Sequence, residues 1–202
     1  MPIITFLQDI FSAVKGPYHR KVGRHTQRFC SRAVKRSTNQ MQRKTFFIVA
    51  ICADEFIASL IGVDDKRQVE PFKGRTLQQK ISKKQVRAAL RMYMSAILTL
   101  VSAQKGLLLQ QMHLDEQQLL HTWCSIFEYL PTDMQLFNDM LPEYQQGGME
   151  GLCKLAGHHI LSQLFMDNGL LSPAEMECLQ KIMAEDATAV VRTLKLEKVE
   201  AV

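Results

Sequence analysis

The sequence predicts an all-α protein, a compact multi-helix bundle of about seven or eight helices with no significant β-sheet. Apolar residues recur at spacings of three and four almost throughout, the period of helices that bury one side. No stretch alternates apolar and polar in the manner of a half-buried strand. Helix stops and capping signals divide the chain into pieces of helical length. At 202 residues, 47% hydrophobic and 22% charged, the chain fits one globular domain over 1–202 and excludes disordered, collagen-like and disulfide-scaffold classes.

The elements follow in order. Over residues 2–15, Leu7, Ile10 and Val14 share a helical face with Ile3, and Gly16-Pro17 stops it. Residues 18–44 are basic with sparse apolar positions, one amphipathic helix or a helix broken near Gly23. Together these two pieces make a basic N-terminal helical segment, 1–45. Residues 45–62 are apolar nearly all round and read as a central helix buried on most sides. A polar linker is expected near 63–75, where Pro71 and Gly74 punctuate the chain. Thr76-x-x-Gln79 and Ser82-x-x-Gln85 both fit a capping box, so the next helix starts at one of them and runs through Val101. Asp115 opens an amphipathic helix through Trp123 and Phe127 that Pro131 ends. A shorter helix over Met134–Tyr144 closes at Gly147-Gly148, and another from Leu152 stops at Asn168-Gly169. Ser172-Pro173-x-Glu175 combines an N-cap, a proline at the first helical position and a capping-box glutamate, and so starts the last helix.

Charge divides the chain. Residues 1–105 carry 20 Lys+Arg against 6 Asp+Glu, and residues 106–202 carry 5 against 14, giving +14 and −9 for a net +5. Such asymmetry either attracts anionic partners or lets the two halves neutralise each other in the fold. Five scattered cysteines with no C-x-x-C pattern read as reduced thiols and a cytoplasmic setting, peripheral to a membrane if the basic segment meets lipid. The best apolar window, Phe46–Val63, carries Asp54 and Glu55 at its centre, which argues against a membrane span.

Chemistry-bearing patterns are sparse. His121-x-x-Cys124 with Cys153 and His158-His159 offers zinc-type ligands, but Cys153 and His158 diverge by about 140° on a helix. No metal and no cofactor is expected. Asn168-Gly169 through Glu175 resembles the second half of a calcium loop, yet Leu164 and Met166 stand where its first carboxylates belong. Asp54 and Glu55 project about 100° apart and make no dyad alone. Arg28, Arg32, Arg87 and Arg91 are candidate ion-pair partners for them. An enzyme or metal-binding site would have to gather Asp54, Glu55, His121 and His159.

The basic segment is the most informative feature. Arg20, Arg24, Arg28 and Arg32 recur every four residues, followed by Lys35-Arg36, and no acid interrupts residues 10–53. On a helix this makes a cationic ridge whose like charges repel until an anion neutralises them. Gln27, Ser31 and their neighbours add donors for phosphate oxygens. Phe6, Leu7, Ile10 and Phe11 precede the ridge as candidate apolar docking residues, an order that suits peripheral membrane binding. The expectation is a non-catalytic helical interaction protein whose ridge engages an acidic protein, a lipid surface or nucleic acid. A homo-oligomer is a third class, which would expose an apolar stripe.

Overall fold

The computed structural model describes residues 19–37, 40–63, 67–104 and 131–200. These form α1 (His19–Arg36), α2 (Gln40–Leu60), a 3-10 turn η1 (Glu70–Phe72), α3 (Lys83–Gln104), α4 (Pro131–Leu164) and α5 (Pro173–Glu200). The class is all-α, and among the described residues the sole β feature is an isolated bridge between Leu77 and Phe165. The helices expected over 2–15 and from Asp115 to Leu130 lie outside the described residues.

The basic stretch is one helix without a break at Gly23, and it ends at Arg36. Arg43 and Lys44, which continue the cationic series in sequence, belong to α2 instead. α2 ends in a Schellman closure, with Val63 N donating to Ala58 O at 2.9 Å and Gly62 N to Ser59 O at 3.1 Å. No residue from Gln42 to Ile61 is exposed, as the all-round apolar pattern implies. α3 is equally enclosed, with every residue from Ala89 to Val101 buried between α2, α4 and α5. Ser95 tolerates this because it bonds locally: its Oγ donates to Arg91 O at 2.8 Å.

Of the two capping boxes, the chain uses Ser82-x-x-Gln85. Ser82 N donates to Gln85 Oε1 at 2.8 Å, and Gln85 N to Ser82 Oγ at 3.2 Å. Thr76 starts no helix because its backbone is engaged elsewhere. Its carbonyl accepts from Met166 N at 2.9 Å, while Gln78 N donates to Leu164 O at 3.0 Å. Pro131 occupies the first position of α4, where its missing N–H costs nothing. The Gly147-Gly148 stop is a break inside α4: Gly148 takes φ 61°, ψ −147°, outside the helical region. The start of α5 follows its signal closely. Ser172 N donates to Glu175 Oε2 at 2.7 Å and Glu175 N faces Ser172 Oγ at 3.4 Å.

One continuous core joins these elements, from Phe29 on α1 through Phe56 on α2 and Tyr93 on α3 to Leu161 and Met183 on α4 and α5. Phe56 and Tyr93 stack with centroids 4.5 Å apart. Among the described residues no helix is long and apolar enough to cross a membrane.

Candidate functional site

α1 docks on α2 through Thr26, Phe29 and Cys30, all buried. Thr26 Oγ1 donates to Asp54 Oδ1 at 2.6 Å, and burial, assisted by Asp54, pushes the Cys30 thiol up to about 12. The opposite face carries Gln27, Arg28, Ser31 and Lys35, all exposed; Arg36 is exposed at the helix end and Arg32 is half-buried, and each of these two arginines has an interaction within the protein. Arg28 and Lys35 are seven residues apart, hence on one face of the helix, and among the described residues neither forms an ion pair with a carboxylate. Arg20 and Arg24 belong to the first turns of α1, and their side chains lie outside the described part. Phe6, Leu7, Ile10, Phe11 and His121 also lie outside the described residues.

The remaining residues of the internal-site reading do not converge. Asp54 faces α1 through Thr26. Glu55 points elsewhere, 3.3 Å from Arg67. The divergence follows from adjacency on one helix, about 100° per residue. His159 packs edge-on against His158, with centroids 5.4 Å apart. Burial, with a smaller contribution from the His158 charge, holds His159 below the usual imidazole range. Among the described residues no group of three His, Cys, Asp or Glu side chains is placed to hold a metal ion. Cys153 is buried, its thiol facing Met183 Sδ at 3.4 Å.

The two charged halves do meet, through residues that their sequence context does not mark. Arg67 and Arg75, in the polar 63–75 segment, reach carboxylates about a hundred residues away. Arg67 Nη2 donates to Asp186 Oδ1 at 2.5 Å, and the Tyr93 hydroxyl donates to Asp186 Oδ2 at 2.6 Å. Asp186 is 1% exposed. Burial pushes its carboxyl above the usual range, although Tyr93 and Arg67 pull the other way. Tyr93 is raised by burial and then by Asp186, and Cys52 by the same two causes. Asp186 sits on the apolar stripe Leu179, Met183 and Val190 of α5, and an acid on such a stripe is the signal that could have revealed it.

Arg75 closes a second junction. Its Nε and Nη2 engage the two oxygens of Glu175 at 2.5 and 2.8 Å, its Nη1 meets Asp167 Oδ2 at 2.7 Å, and its Nη2 also donates to Leu170 O. Burial alone would raise the Glu175 carboxyl; the bonds from Arg75 and Ser172 outweigh it and hold the group below its ordinary value. This guanidinium spans the stretch that resembles half a calcium loop, so a side-chain cation serves its oxygens there. Gly169 turns with φ 71°, and a Cβ there would sit 2.5 Å from His158 O.

Beside this loop, α4 and α5 bound a groove of about 470 Å³ edged by Glu150, Lys154, His158 and Glu177. The large hydrophobic side chains exposed among the described residues are Met166 and Leu170, at 62% and 61%. Compared with protein families, with curated proteins and with solved structures, the chain matches none.

Proposed function

We propose that this protein is a helical interaction module without catalysis of its own, and that the outward face of α1 docks an anionic partner. The observation that supports this reading is a division of labour among the cations of the basic half. Arg67 and Arg75 are committed to Asp186, Asp167 and Glu175 inside the fold. Arg28 and Lys35 stand exposed on the far side of α1 from its packed face. Arg20 and Arg24 continue the four-residue series toward the start of the helix, whereas Arg32 and Arg36 each have an interaction within the protein. Cations four residues apart repel one another, and an anionic partner relieves the repulsion.

The test is binding of the full chain to acidic polypeptide, anionic vesicles and nucleic acid at low and high salt, beside the Arg28→Glu/Lys35→Glu variant. Salt-sensitive binding to at least one of them, lost in a variant of unchanged helicity, is the expected result. Equal binding by both proteins, or none by either, contradicts the reading.

A further inference from the structure

We propose that the loop between α4 and α5 is a calcium-type cation site plugged by the chain's own cation, the Arg75 guanidinium, and that it takes up calcium once Arg75 is removed. A calcium loop between two helices places a glycine at its sixth position, a backbone carbonyl ligand at the seventh and a bidentate glutamate at the twelfth. Here Leu164 ends α4 and Pro173 opens α5. Counted from Leu164, Gly169 is sixth, Leu170 seventh and Glu175 twelfth.

The structure brings those ligand positions together on one cation. Leu170 O and both oxygens of Glu175 accept from the Arg75 guanidinium, and Asp167 Oδ2 joins them at 2.7 Å. Gly169 makes the sharp turn with φ 71°, and its N–H donates to Asp167 Oδ1 at 2.7 Å. Arg75 reaches this cluster from the segment before α3, a hundred residues away from Glu175 in the chain.

Charge and burial favour a metal ion in the place of the guanidinium. Asp167 and Glu175 carry two negative charges and Arg75 carries one positive charge, so a divalent ion balances the pair more fully. Glu175 is 4% exposed. A carboxylate so buried needs a cation, and Arg75→Ala takes away the one that the fold supplies. In the wild type the guanidinium is tethered, hence present at high effective concentration, and calcium competes poorly. Leu164 and Met166 stand at the first and third positions and bring no side-chain oxygen. Water therefore completes a shell of about six to eight oxygens, and the affinity falls at the weak end of calcium loops, with Kd on the order of 10⁻⁴–10⁻³ M.

The experiment uses the full chain as wild type, Arg75→Ala and Arg75→Ala/Glu175→Gln. Each is titrated with calcium chloride in a calorimeter and melted with calcium or magnesium chloride at constant ionic strength. Circular dichroism reports helicity. Arg75→Ala is expected to bind calcium about tenfold or more tighter than the wild type. It also melts higher in calcium than in magnesium, which demands a stricter octahedral shell. Adding Glu175→Gln abolishes the calcium response. If Arg75→Ala is unfolded without metal, calcium restores its helicity. No calcium response from Arg75→Ala, folded or unfolded, overturns the proposal. Equal calcium binding by the wild type overturns the plug. A response that survives Glu175→Gln, or that magnesium matches, overturns the assignment to this loop.

Discussion

Tyr93 on α3 donates its hydroxyl to Asp186 on α5 at 2.6 Å, and both side chains are buried. This bond and the Arg67 pair on the other carboxylate oxygen tie α3, α5 and the segment after α2 together. A buried carboxylate persists only where its oxygens are satisfied, so each partner depends on the other two.

Removing either partner therefore costs more than a surface bond. Tyr93→Phe leaves one Asp186 oxygen unsatisfied and lowers stability by about 1–3 kcal/mol. Asp186→Ala leaves Arg67 with Glu55 as its carboxylate and takes the acceptor from the buried Tyr93 hydroxyl, and it costs about 3 kcal/mol. In urea unfolding, the double variant loses less than the sum of the singles, because the two groups share one network.

Arg75 holds the loop between α4 and α5 by pairing with Glu175 and Asp167. Arg75→Ala lowers stability by about 3 kcal/mol and makes residues 165–172 the first site of limited proteolysis. Arg75→Lys restores little, since an ammonium cannot engage both Glu175 oxygens and Leu170 O as the guanidinium fork does.

Acid weakens the fold in two stages. His159 titrates below its ordinary 6.5 in the folded chain, so its contribution is complete above that value and is lost as pH falls through the lowered one. Glu175 lies below its ordinary 4.5 and repeats the pattern at lower pH. Asp186 works in the opposite sense: its raised value makes stability decline as pH rises from its ordinary 3.8 through the raised one. Thermal melts across pH check the signs. His159→Asn removes the upper stage, Glu175→Gln removes the lower one, and Asp186→Asn removes the opposing slope.

Arg28→Glu separates stability from docking. Arg28 is exposed, with Arg24 and Arg32 one helical turn away on either side. Turning two like-charge pairs into two opposite-charge pairs raises thermal stability by a few tenths of a kcal/mol. A loss of binding in that variant is then a loss of the surface and not of the fold.

Local signals were legible where a side chain bonds its own neighbourhood. Ser172 and Glu175 form the capping box that their spacing announces, Ser82 and Gln85 do the same, and Gly148 breaks the chain where Gly147-Gly148 marks a stop. The exposure of Arg28 and Lys35 was legible because helical spacing alone places them opposite Phe29 and Cys30. What escaped was set by distant parts of the chain. Thr76 lost its capping role to Met166, and Glu55 found Arg67 rather than any of the four arginines its surroundings suggested. Asp186 and Tyr93 each sit on an apolar stripe, but their pairing depends on how α3 and α5 pack, and no spacing within either helix encodes that.

The most direct test of the docking face is the salt concentration that elutes the full chain from a phosphocellulose column, beside Arg28→Glu/Lys35→Glu and a control that reverses two exposed lysines of the acidic half, Lys154→Glu/Lys181→Glu. All three proteins are checked for equal helicity. The variant and the control change net charge equally, so a bulk-charge effect moves both alike. The ridge variant is expected to elute at markedly lower salt while the control stays near the wild type. Equal shifts in both, or none in either, contradict the docking face.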